Sequence, residues 1–176
     1  MSDKELSEEK DMDELFLLAQ YIDNFNIHFS LLLRRYKRFR EINIVGNKDI
    51  DVITYLDIII VQLRAICVEN ERYKNNYSAQ VLLRKVGENA LADRIENMLS
   101  QEFLEGCEDF PIRKAIKTLA DDFICHYDNF DGEKLHDLSL AEIIEKQLRS
   151  PYDKINLDYI MKELINCIGE GLSVKM

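Results

Sequence analysis

The sequence predicts an all-α fold: a single-domain antiparallel bundle of six to seven helices with a long first helix. Three observations carry this. Only 6 Gly and 2 Pro interrupt 176 residues, leaving little room for the turns of a many-stranded β fold. Hydrophobic residues make up 47% and charged residues 32%, a globular balance in a chain long enough to bury a core. Finally, Leu15, Leu18, Ile22, Phe25, Phe29, Leu32, Tyr36 and Phe39 recur at 3-4-3-4-3-4-3 spacing, which an α-helix gathers onto one stripe. That row runs roughly 37 Å at about 1.5 Å per residue. Such a rod packs beside another long helix, and Leu17, Leu31 and Leu33 widen its stripe toward an ordinary bundle.

The first ten residues or so are acidic and have almost nothing to bury, so they read as a solvated, mobile tail ahead of a bundle over 11–176. A turn is expected at Asn43–Lys48, around Gly46 and Asn47. The second helix starts near Asp49 or Asp51 and continues through Cys67. It is apolar nearly all round, which marks a central helix. Ser78 is an expected N-cap for a helical stretch reaching about Glu102, with a break near Gly87. Pro111 suits the first position of a helix ending near Tyr127. Ser139 with Glu142 fits a capping box for a helix over Leu140–Arg149, stopped by Ser150-Pro151. The last helix is expected over Leu157–Ile168, ended by Gly169 and Gly171.

A net charge of −10 argues against general nucleic-acid binding. The four cysteines form no CxxC pair and read as reduced, buried thiols. The longest aliphatic run, Ile58–Val61, is far short of a membrane span, and the acidic N-terminus does not resemble a targeting peptide. Cytoplasmic localisation and no membrane association are the expectations. There is no Gly-rich phosphate loop and no GxSxG elbow, and Cys125 adjoins His126 without facing it along a helix.

His126 carries the main chemical candidate. Asp122 precedes it by one helical turn, a spacing that orients an imidazole and frees its other nitrogen for acid–base work. The alternative is a satisfied, half-buried histidine at a helix C-terminus. Glu133-x-x-His136 has di-iron spacing but occurs once, so no metal and no cofactor are expected. Arg34, Arg35, Lys37 and Arg38, interleaved with Tyr36 and Phe39, are the candidate nucleic-acid contacts; helix-end electrostatics explains the same charges. Asp57 and Arg64 on the central helix are a candidate ion pair. Arg64 is alternatively a cation serving the site around His126.

Leu63-Arg64-Ala65, Asn76-Tyr77-Ser78 and Ile112-Arg113, followed by Phe123-Ile124-Cys125-His126-Tyr127-Asp128, resemble the HEPN superfamily over roughly residues 12–130, nearest its abortive-infection-related branch. The resemblance implies a helical bundle that dimerises. Many such bundles are metal-independent ribonucleases with an arginine four to six residues apart from the histidine; others are non-catalytic modules. With His126 as that histidine, the arginine position falls on Leu119, Ala120 or Asp121. An acidic residue there repels a scissile phosphate. The expected function is therefore a non-catalytic interaction or dimerisation module, defence or toxin–antitoxin related, working as a homodimer or with a protein partner. The alternative is a divergent ribonuclease acting on RNA, with His126 as acid/base, Asp122 orienting it, and Arg64 or Arg113 facing phosphate.

Overall fold

The computed structural model describes residues 3–43, 50–68, 78–105, 109–124 and 135–173; the side chains of residues 3–11, 14, 122–123 and 135–138 fall outside that description. Within it the chain is all-α, with seven α-helices and no sheet. These are α1 (Asp3–Ile42), α2 (Ile50–Leu63), α3 (Ala79–Lys85), α4 (Asn89–Leu99), α5 (Ile112–Thr118), α6 (Leu135–Arg149) and α7 (Leu157–Ser173). Two of them widen into π-helical turns: α2 over Arg64–Val68 and α5 over Leu119–Ile124. No described helix is long and apolar enough to cross a membrane.

The predicted seam of α1 holds over its second half. Phe25, Phe29, Leu32 and Phe39 are buried, and Leu18, Ile22 and Tyr36 are partly so. The row fails at its start, where Leu15 is 63% exposed because α1 overhangs the bundle. The acidic stretch expected as a mobile tail is helical from Asp3. Carboxylates are favoured in the first turns, where the helix dipole is positive, and Glu, Lys and Leu are good helix formers.

α2 is the central helix. It packs against α1 on one side and against α5 and its π turn on another, burying Val52, Leu56, Ile59, Ile60 and Leu63. Ser78 caps α3 as expected, its Oγ accepting from Val81 N–H at 3.3 Å. α3 ends in a Schellman arrangement: Glu88 N–H reaches Leu83 O at 2.7 Å and Gly87 N–H reaches Arg84 O at 3.0 Å. The turn requires φ of 87° at Gly87, which a residue without Cβ adopts at no steric cost. Pro111 stands just ahead of α5, one position outside its predicted place.

Two helix boundaries differ from the sequence reading. Ser139 lies four residues inside α6 rather than capping it, since serine inside a helix costs only about half a kcal/mol. At the other end, α7 runs through Gly169 and Gly171 to Ser173. Its start is fixed by Asn156, whose Oδ1 accepts from Tyr159 N–H at 2.9 Å while its Nδ2 donates to Ser150 O at 2.8 Å. Packing overrides propensity at its far end. A Cβ on Gly171 would overlap the buried Leu83 side chain and lie 3.3 Å from Leu91 Cδ1, whereas one on Gly169 meets nothing within 4 Å. The two glycines should therefore respond oppositely to alanine. Gly169→Ala is expected to stabilise by about 0.5–1 kcal/mol, because the helix loses a costly glycine. Gly171→Ala is expected to destabilise by about 1–2 kcal/mol through overpacking. Urea unfolding of both variants checks the sign at each.

Candidate functional site

The polar groups of interest gather where α2 and α5 widen. π turns add a residue per turn and recur at functional sites. Arg64 opens the first of them and Asp121 lies in the second. Their side chains form an ion pair that ties the two turns together, with Arg64 Nη2 donating to Asp121 Oδ2 at 3.4 Å and Nε in ion-pair contact with Oδ1. Both side chains are largely sheltered, at 30% and 25% exposed.

A second network begins at the other end of the Arg64–Val68 turn. The last carbonyls of a helix have no partner within it. Gln80, from α3, meets this need: its Nε2 donates to Cys67 O at 2.7 Å and also to Glu96 Oε1 at 3.1 Å. Glu96 in turn accepts from Arg113 of α5 through its other oxygen. Gln80 is only 3% exposed, so this is an interior tie between α2, α3, α4 and α5. Burial, then the Glu96 carboxylate, push the Cys67 thiol up, against a smaller opposing pull from Arg113.

The structure thus brings Arg64 and Arg113 to the same wide turn, each engaged by a carboxylate. Asp122 sits in the second π turn, but its side chain lies outside the described residues, as do His126, Cys125, Asp128, Asp131, Glu133 and the His136 side chain. Gly46 and Asn47 of the expected turn also fall there.

The basic cluster occupies the C-terminal third of α1. Arg34, Lys37 and Arg38 are exposed and Arg35 is partly buried, so the charges do not form one surface. Arg38 bonds Glu41 at 3.1 Å. The interleaved aromatics turn inward. Phe39 is buried, and Tyr36 donates to Asp158 of α7 at 2.6 Å. Burial and that carboxylate raise the Tyr36 hydroxyl well above its ordinary pKa. Neither ring is presented for stacking on a base. Beside them, Phe39, Arg40, Asn43, Arg149, Asn156 and Asp158 border a cleft of about 170 Å³. Sequence gave no sign of this cleft, because its walls come from opposite ends of the chain.

The carboxylate beside Arg64 is Asp121 rather than the expected Asp57. Asp57 is half-buried, and burial followed by repulsion from Glu145 raises its pKa to about 6. An unfolded aspartate titrates near 3.9. The folded state therefore holds this proton more tightly. Its contribution to stability is complete below about pH 4 and is lost as pH rises to about 6. Discounted for partial exposure, Asp57→Asn should add about 1 kcal/mol at pH 7. It should also flatten the pH dependence of stability over that window, as denaturant unfolding at several pH values would read.

Comparison with known protein families, curated proteins and solved structures returns no match for this chain.

Proposed function

We propose that the chain is a HEPN-like helical bundle that serves as a non-catalytic interaction module, of the kind used in defence or toxin–antitoxin systems. The observation that carries this reading is the overhanging start of α1. Met12, Leu15, Phe16 and Leu17 are each more than 60% exposed within six residues. Large apolar side chains clustered in water mark a surface meant to be covered.

The ion pairs weigh in the same direction. A ribonuclease needs cations free to meet the charge that develops on phosphate. Arg64 faces Asp121 and Arg113 faces Glu96, so each is opposed by a carboxylate. One observation favours the ribonuclease alternative: Arg64, from α2, reaches Asp121, a position where the HEPN resemblance calls for an arginine.

Incubation of purified protein with mixed RNA, with and without EDTA, beside a His126→Ala control, tests the choice. No cleavage is expected. EDTA-resistant cleavage that disappears in the variant would establish the ribonuclease instead.

A further inference from the structure

We propose that the cleft bordered by the ends of α1 and α6 and the start of α7 binds a free α-amino acid with a small apolar side chain, held as its zwitterion. The site goes beyond the interaction-module reading and stands or falls apart from it. Ile42 closes α1, Arg149 closes α6 and Leu157 opens α7, and the space between these ends is about 170 Å³. A cavity of about 150 Å³ holds a benzene ring, so a branched aliphatic side chain fits.

The walls of the cleft are fixed by bonds within the chain. Asn43 Nδ2 donates to Arg149 O at 3.0 Å, and Arg149 Nε donates back to Asn43 Oδ1 at 3.1 Å. Arg149 also pairs with Glu145 at 3.2 Å, so its charge is met by its own helix. Asn156 is buried, with both ends of its amide bonded to Ser150 O and Tyr159 N–H. Walls already in place spare a ligand the cost of ordering them. Phe39 and Leu148, both buried, and Pro151 give the cleft an apolar lining.

The mouth carries one charge of each sign. Arg40 Nε and Asp158 Oδ2 stand 3.7 Å apart, close enough to attract but too far for a hydrogen bond. Their side chains are 62% and 50% exposed. Tyr36 positions both: its hydroxyl donates to Asp158 Oδ1 at 2.6 Å, and Arg40 lies over its ring at 5.9 Å. Helix-end electrostatics accounts for an arginine in the last turn of α1 and an aspartate in the first turn of α7. It does not call for an apolar-lined cleft beside them.

These charges select the ligand. A lone anion is drawn by Arg40 and repelled by Asp158, and a lone cation meets the reverse. A zwitterion satisfies both. Its carboxylate accepts two N–H donors from the Arg40 guanidinium, its ammonium donates to Asp158 Oδ2, and its side chain enters the cleft. The two charges of an α-amino acid flank a single carbon, as close together as the pair they address.

Calorimetric titration of the full chain with L-leucine at about pH 7 is the test. Saturable binding is expected, with a dissociation constant of about 0.1–1 mM for a ligand this small. Leucinamide keeps only the positive charge and isocaproate only the negative one. Each should bind at least about tenfold more weakly, because each leaves one charged group of the mouth unmet. Glycine should be weaker by a similar factor, since it leaves the apolar lining wet. Arg40→Gln should weaken L-leucine at least about tenfold without weakening leucinamide. Asp158→Asn, which keeps an acceptor for Tyr36, should weaken L-leucine as much without weakening isocaproate. Both side chains are largely exposed, so circular dichroism should show both variants folded.

No binding heat from L-leucine up to about 10 mM overturns the proposal. So does a single-charge analogue that binds as tightly as L-leucine, or a folded Arg40→Gln or Asp158→Asn variant that matches the wild type. RNA cleavage by the same preparation would sink the non-catalytic reading and leave the titration to judge the cleft by itself.

Discussion

Replacing Phe25 with alanine is expected to lower the unfolding free energy by about 3–5 kcal/mol, while the same change at Phe16 leaves it within about 0.5 kcal/mol. The two residues sit nine positions apart on one helix and differ only in surroundings. Phe25 is fully buried, and its ring stacks on that of Phe29 with centroids 5.6 Å apart and planes at 24°. Truncation removes its apolar area from the core, leaves a cavity there, and forfeits an aromatic pair worth about 0.5–1.5 kcal/mol. Phe16 is 63% exposed and leaves no cavity in its own chain. Urea unfolding of both variants reads the contrast. Equal losses at the two sites would mean that the first half of α1 is packed as tightly as the second, against the observed burial.

Gln80→Leu is the next largest expected effect, a loss of about 2–3 kcal/mol. The substitution keeps the volume of the side chain and removes only its hydrogen bonds. What remains is a Cys67 carbonyl at a helix end with no donor, and a Glu96 carboxylate that has lost one of two partners. An unmet buried acceptor costs about 1–3 kcal/mol, more when charged. Arg113→Met should cost less, about 1 kcal/mol, because that side chain is 43% exposed and water replaces part of what it loses. The double variant should cost less than the two single losses added together, since both act on Glu96. Additive losses would show that the tie between α3, α4 and α5 is not one network.

The parts of the fold that could be read from sequence are those where one physical signal acts alone. The 3-4 row in α1 beyond Leu15, the central placement of the apolar α2 and the Ser78 cap each depend on neighbours in sequence, and each is present. Ser139 and the α7 glycines were misread because capping and breaking preferences are worth about 1 kcal/mol, which tertiary packing readily exceeds. The contact of Gly171 with Leu83 is a case in point. The backbone of the N-terminal stretch is helical from Asp3, because its residues favour helix without packing, a signal that an absence of apolar residues to bury does not carry. The site was legible only as a set of residues. Arg64 and Arg113 were singled out from sequence, but their partners Asp121 and Glu96 stand 57 and 17 positions away. Nothing in helical spacing links positions so far apart. The π turns at Arg64–Val68 and Leu119–Ile124 were also invisible, because the 3.6-residue spacing that reveals a helix does not distinguish a widened turn within it.

The two sealed thiols have a practical consequence. Cys67 and Cys167 lie in different helices, are almost wholly shielded from water, and both resist ionisation, chiefly because burial disfavours the thiolate. Alkylating reagents attack only the thiolate, so neither sulfur is labelled until its helix comes away. With Cys107 and Cys125 replaced by serine, the speed of labelling at each position becomes a stopwatch for the opening of its own region. Together they would tell whether α2 and α7 let go in one event or two.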